Sequence, residues 1–249
     1  MQRSIPKTSA VLSALLRADF ITQWRNRRSF RLVLLVPVII LISWKGLVAK
    51  MGGEFVLAAC ITIGLTSIGL MGYSNSIARD RDRGIFQRLR VGPVSSWAIM
   101  ISRIVVQIAM IFIMTLLIFV VGYTVDHIAL SPLGYLFGML ISLVGGALYL
   151  SLGQVIVGPI KNPETVNTTT RLVYFVFIMV GMFGEFGILG DVVKDLVIWS
   201  PYGVVKAILA GSLQPASWNM HTSLSLLATL GYTVVFAILG IKWFRWSNK

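Results

Sequence analysis

The sequence predicts an all-α, polytopic membrane protein, and three observations carry that expectation. Of the 249 residues, 56% are hydrophobic and only 12% charged, where a soluble domain carries about 25% charged residues. Mean hydropathy is +0.83. The apolar residues also fall into six runs of the length, about 20 residues, that crosses roughly 30 Å of hydrocarbon. A soluble chain this apolar would expose patches larger than monomers tolerate. The net charge of +13 does not point to nucleic acid. The basic residues sit beside the apolar runs, where anionic headgroups and the positive-inside rule account for them, and no basic stripe with stacking aromatics occurs.

The six expected spans are residues 32–50, 55–77, 97–125, 132–157, 172–190 and 224–243. Lys45 lies near the far end of the first, where its long stem can snorkel to the interface. With the N-terminus inside, the inner segments hold 17 Lys and Arg and the outer ones only Lys45, Lys50, Lys194 and Lys206. Five of the nine acids (Glu54, Asp126, Glu185, Asp191, Asp195) fall outside. Both termini are therefore expected in the cytoplasm.

Three segments are neither spans nor short loops. In residues 8–28, Leu12, Leu16, Phe20 and Trp24 recur every four residues, a helical stripe widened by Val11 and Leu15 and interrupted by Asp19 and Gln23. A helix of this kind with arginines at its C-terminal end suits the membrane interface or a surface position on the bundle. In "ARDRDRGIFQRLRVGP", residues 78–93, five arginines and two aspartates separate two apolar runs. Ile85, Phe86 and Leu89 share one face of a short helix over 82–91, and Gly92-Pro93 stops it. On the outer side, Gly181, Gly184, Gly187 and Gly190 recur every third residue, which weakens helix continuity. The following "DVVKDLVIWSPYGVVKAILAG" is broken by Pro201 into halves too short to span. Residues 191–213 read either as a re-entrant helical hairpin, tolerated where protein shields its irregular backbone, or as an amphipathic outer loop.

Catalytic chemistry is not evident. Cys60 is the single cysteine, which excludes an internal disulfide or a cysteine metal site. His127 and His221 are the only histidines, fewer than the three ligands a zinc site usually supplies. Neither a phosphate-binding Gly-rich loop nor a Gly-x-Ser-x-Gly elbow is present, so no catalytic or metal residue is assigned. Arg103 is the one charge well inside a span, about 9 Å along the helix from Trp97 at 1.5 Å per residue. It either snorkels to the inner face or pairs with Asp80, Asp82 or Glu164.

Six spans, an N-terminal interfacial helix, a charged helix between spans two and three and an outer hairpin before the last span resemble the permease subunits of type-2 ABC exporters. The sharpest local match is "RDRGIFQRLRVGP", in which Asp82, Arg83, Gly84, Arg88, Leu89 and Pro93 fit the family's cytoplasmic signature. Ile85 and Gln87 stand where the family often has Thr and an acid. "SPYGVVKAIL" (200–209) is similar to the family's Asn-Pro stretch, with Ser200 for Asn. The resemblance implies a bacterial or archaeal cytoplasmic membrane, a second permease subunit (a homodimer expected) and two copies of a separate ATP-binding subunit. That partner would hold ATP and Mg²⁺, with no cofactor in this chain. Helix 82–91 would be the coupling helix, seated in the ATPase beside the N-terminal helix, with Ile85, Phe86 and Leu89 as an apolar anchor and the arginines setting register.

The candidate pathway residues are polar or flexible side chains in the second and fifth spans: Thr62, Thr66, Tyr73, Asn75, Tyr174, Met179 and Met182. Hydroxyls can instead bond their own helix. An apolar lining with scattered hydroxyls and methionines suits an amphipathic cargo such as a drug, natural product or lipid. The alternatives are an ion-gradient-driven secondary transporter, which usually brings ionisable groups or broken helices to the midplane, and a membrane-embedded enzyme, which needs a catalytic cluster.

Overall fold

The computed structural model describes residues 8–25, 27–90 and 96–244, and among them every regular element is helical. The chain begins with α1 (Thr8–Arg25), α2 (Arg27–Ser43) and α3 (Lys45–Met51). A long helix follows as α4 (Gly53–Thr66), a π-helical stretch (Ser67–Ser74) and α5 (Asn75–Asp82). Then come α6 (Ile85–Arg90), α7 (Ser96–Asp126), α8 (Pro132–Val157), α9 (Pro163–Glu185), α10 (Asp191–Trp199), α11 (Pro201–Leu213) and α12 (Met220–Trp243). Among the described residues, five helices are long and apolar enough to cross a membrane. The pairs α2–α3 and α10–α11 qualify as two more if each bent pair is one span.

Helix Gly53–Asp82 is the centre of the bundle. It is hydrophobic all round and buried along nearly its whole apolar length, as such a helix must be. The elements α2, α7, α8, α9 and α11 pack on it. Its π-helical stretch coincides with a close helix crossing, where Gly69 meets α8. A Cβ added at Gly153 would lie 2.4 Å from the Gly69 carbonyl oxygen, and one at Gly69 would lie 2.5 Å from the Tyr149 backbone. Ser74 caps the irregularity by donating from Oγ to that same Gly69 carbonyl, 3.0 Å away.

Local chemistry sets the other starts. At α8, α9 and α11 the cap residue precedes a proline, and Ser131, Asn162 and Ser200 each accept a backbone N–H from Gly134, Glu164 and Gly203. Proline at the first helical position has no N–H to leave unbonded, and the capping oxygen satisfies one of the orphan donors behind it.

Several boundaries differ from those expected. The first span is not one rod: it bends by 62° at Trp44, between α2 and Lys45 of α3. The second continues through the charged stretch to Asp82, so the short helix begins at Ile85 rather than at 82, and its expected end at 91 lies outside the described residues. The turn between them is Gly84, whose φ of +67° suits glycine. Helix α9 begins nine residues before the expected span, at Pro163, because its polar first turns extend below the apolar run. Gly181 and Gly184 do not break α9. They lie inside it and give α10–α11 room, since added Cβ atoms would meet the Tyr202 ring at 2.5 Å and Val197 at 2.7 Å. The proposed stop at Gly92-Pro93 lies outside the described residues.

The crossing at Gly153 yields a prediction. Gly153→Val forces side-chain bulk against the Gly69 backbone, which cannot retreat without disturbing the buried helix. Overpacking of this kind costs about 1–3 kcal/mol. A melting temperature several degrees below wild type in detergent is the expected result, while Gly231→Ala, which meets no atom within 4 Å, should change little.

Candidate functional site

The charged stretch 79–90 folds against the ends of three long helices. Its first part, α5, carries Ile77 and Ala78 into the core, and Arg81, one turn beyond Ile77, follows them. The Arg81 guanidinium is buried. Its Nη1 donates to the carbonyls of Val157 at 3.0 Å and Gly158 at 3.3 Å, and Nη2 donates to Ile160. These carbonyls end α8, where backbone acceptors have no partner within the helix and a cation is favoured by the helix dipole. Arg81 therefore binds α5 to the end of α8.

Arg103 of α7 makes the second tie. Its Nη1 lies 3.3 Å from Asp19 Oδ1 on α1, and its Nη2 lies 2.8 Å from Asp80 Oδ2 on α5. Ser102 Oγ donates to the other oxygen of Asp19. All three charged side chains are about one-tenth exposed. Burial pushes the Asp19 carboxyl above the ordinary carboxylate range, against the pull of Arg103 and Ser102. Of the partners expected for Arg103, Asp80 is the one found, whereas Asp82 and Glu164 are exposed. Asp19 was not foreseen as a partner. It belongs to the packed face of α1, with Leu12 and Leu16 half-buried beside it. Phe20 (43% exposed) and Trp24 (68%) turn outward, so the four-residue stripe is not the buried face. The signal lay in two residues each out of place, an acid in an apolar stripe and a lone arginine in a span.

Helix α6 presents its faces differently from the expectation. Phe86 is fully buried, with its ring edge-on to Phe244 at 6.1 Å between centroids. Ile85 and Leu89 are half-buried, and Leu89 packs on the core. Phe86 is thus a core residue of this chain rather than an anchor offered to another. The exposed residues around it are Asp82, Arg83, Gln87 and Arg88, a polar face with a cationic excess. Pro93 lies outside the described residues.

The seven pathway candidates do not converge. Thr62 and Thr66 are fully buried and donate to Ala58 and Thr62 carbonyls one turn back. Asn75 Nδ2 donates to Met71 O at 2.9 Å. Tyr73 donates to Gln154 Oε1 of α8 at 2.7 Å. Tyr174, Met179 and Met182 lie half-buried on α9, away from the cavity between α7, α8 and α12 that Tyr73 lines.

At the opposite end of the bundle, Lys206 of α11 pairs with Glu185 at the end of α9, and its ammonium stands 3.2 Å from the centroid of the Phe55 ring. A buried lysine with both a carboxylate and an aromatic face ties the bent pair α10–α11 to α9 and to the start of α4.

A bundle of long apolar helices, with a charged turn bound to three of them at one end, defines a multi-pass membrane protein. The family model described as ABC-2 type transporter matches residues 10–193, which span α1 to the first turn of α10. The chain belongs to the ABC-2 type transporter permease family and is a permease component of an ABC transporter. A comparison with curated proteins found no match.

Arg103→Met would leave the buried carboxylates of Asp19 and Asp80 facing each other without the guanidinium that stands between them. Removing one partner of a buried ion pair costs about 3–5 kcal/mol, so the variant is expected to melt well below wild type or to fail to accumulate. Adding Asp19→Asn and Asp80→Asn should recover most of that loss. A single variant as stable as wild type would show that the triad carries no weight.

Proposed function

We propose that this chain is the membrane subunit of an ATP-driven exporter, and that the exposed face of α6 is its docking point for a separate ATP-binding subunit. The observation that supports this reading is the mounting of α6. Its outer face offers Gln87 and Arg88, with Arg83 just before it, to a partner, while its inner face is fastened to the segment after α12 and the preceding α5 is fastened to α8 and to α7, which in turn holds α1 through Arg103 and Asp19. A partner gripping the outer face would move the ends of those helices together. ATP and Mg²⁺ belong to that partner, two copies of which would act on two permease chains. Helix α9, with Leu172, Phe175, Val176 and Phe183 exposed, offers an apolar face to a second copy. The stretch 85–90 and both termini lie on the cytoplasmic side of the cell membrane in this reading, which the distribution of Lys and Arg supports. The pair α10–α11, bent by 69° at Ser200, dips into the outer leaflet as a re-entrant hairpin. The cargo is amphipathic, because the spans carry apolar side chains and hydroxyls and no ring of acids.

The partner-facing role falls to the arginines, since Phe86 is occupied within the chain. Arg83→Glu with Arg88→Glu should leave insertion and melting temperature unchanged. It should weaken co-purification with the ATP-binding subunit by about tenfold or more and lower ATP-driven efflux in proportion, as reversing charges at an interface disfavours register and approach. Wild-type association should weaken with added salt. Unaltered association and efflux in the double variant would remove α6 as the docking point.

A further inference from the structure

On the side of the bundle opposite α6, a cavity of about 140 Å³ is lined by α10 and α11 and by Phe55 of α4, Glu185 of α9 and His221 of α12. Pockets for drug-sized ligands measure about 300–1,000 Å³, so this one has room for a small molecule. Val197, Ile198, Ala207 and Ala210 give it apolar walls. Against them stands Lys206, a charged residue only 4% exposed. Its ammonium touches the Glu185 carboxylate and lies over the Phe55 ring, and all three residues line the cavity. The ion pair is therefore part of the cavity wall. His221 is exposed, with its ring 5.4 Å from that of Trp199 between centroids, and it stands at the rim as a further donor.

The two charged partners are not held alike. The Lys206 side chain is 5% exposed and sits in the middle of α11, whereas that of Glu185 is 33% exposed. Glu185 is also the last residue of α9. The turn after it runs through Gly187 and Gly190, both at positive φ and both with nothing within 4 Å of an added Cβ. Released from the pair, Glu185 would regain water. Lys206 would be left as an unpaired buried cation, which costs several kcal/mol. The lysine thus requires an anion at all times, and Glu185 is the partner free to exchange. We propose that the cavity binds a small carboxylate with an apolar body, whose carboxylate takes the place of Glu185 on Lys206 while the body fills the space between α10 and α11. A carboxylate is the group that the lysine already holds, and one negative charge neutralises it. A phosphate dianion would leave an excess of buried charge. Such binding needs no ATP-binding subunit, so it stands or falls apart from the exporter reading.

The test uses the whole chain alone in phosphatidylcholine nanodiscs, with 4-fluorobenzoate as the probe and its binding followed by fluorine NMR. Broadening of the probe signal should saturate and be relieved by benzoate. It should be absent for neutral 4-fluorobenzamide and for empty nanodiscs. Lys206→Met should weaken binding at least about tenfold, the worth of a hydrogen bond to a charged group. Ala207→Phe, which fills the cavity and leaves the ion pair in place, should weaken it as much, and it serves if Lys206→Met does not fold. Glu185→Gln should instead tighten binding at least about fivefold, because the competing carboxylate no longer keeps the competent state to a small fraction. A merely structural ion pair would give no such gain. No saturable binding to either the wild type or Glu185→Gln would overturn the proposal, as would binding indifferent to both Lys206→Met and Ala207→Phe. Unchanged or weaker binding to a Glu185→Gln variant that melts like wild type would show that Glu185 does not exchange. Phenylphosphonate competing as well as benzoate would overturn the choice of a carboxylate.

Discussion

The structure depends on how a few buried charges are held in a bundle that has almost none. Arg103 stands between Asp19 and Asp80, and Arg81 stands on the end of α8. Neither guanidinium could remain at these depths unpaired, because taking a cation out of water costs several kcal/mol even after relaxation. Each is therefore surrounded by acceptors whose positions are set by other helices. A buried ion pair of this kind adds little net stability over a well-packed apolar group, and its value here is geometric. Asp19 can reach Arg103 only if α1 lies along α7 in one register. Asp80 can do so only if the second span continues unbroken into α5, and Arg81 then faces the end of α8 without further adjustment. Four helix ends are placed by two arginines.

The opposite end follows the same logic with different parts. Lys206, Glu185 and Phe55 bring α11, α9 and the start of α4 to one point, and Tyr149 of α8 donates to the Pro201 carbonyl at 3.2 Å, so the bent pair is fastened to the centre as well as to its neighbour. Between these two polar ends the bundle holds by apolar packing and by close helix crossings through glycine. Without a hydrophobic drive between helices in lipid, such close approach is a main source of cohesion. Of the five long apolar helices, α9 and α12 are the least covered by the rest of the chain, which places much of the free apolar surface on the flanks of the bundle.

How much of this was legible in the sequence follows from which interactions are local. The helix over 132–157 was readable to the residue because its limits are written nearby, with Ser131-Pro132 at one end and Gly158 at the other. The same holds for the break at Ser200-Pro201. The family resemblance rested on 81–93 and 200–209, and the family match extends from residue 10 to 193. What was not legible is tertiary. Ile85, Phe86 and Leu89 mark an apolar face, but nothing in a six-residue helix says whether that face meets its own chain or another, and Phe244, more than 150 residues later, decides it. Asp19 looked like a flaw in an amphipathic stripe because its partner is 84 residues away. The bend at Trp44 has no proline at the joint to announce it. Thr62 and Thr66 drew notice as polar groups in a span, yet their hydroxyls are spent on carbonyls of their own helix.

The mounting of α6 bears on how motion would travel in the proposed mechanism. A helix of six residues cannot act as a stiff rod, so a push on Arg83 and Arg88 has to leave it through side-chain ties. One route runs by Phe86 and Phe244 to the end of α12. A second runs by Arg81 to the end of α8, and a third by Asp80 and Arg103 to α7 and α1. All four receiving helices would be displaced at the same end of the bundle, whereas at the other end Lys206 separately fastens α11 to α9 and to the start of α4. The compliant element between the two is the π-helical stretch Ser67–Ser74, which already departs from regular hydrogen bonding and sits where Gly69 and Gly153 touch. Such insertions recur at functional sites because their ladder is irregular at little further cost. A rotation of the inner ends would therefore be absorbed near Gly69, with α8 turning against the central helix at a contact where two glycines leave no side chains to unlock.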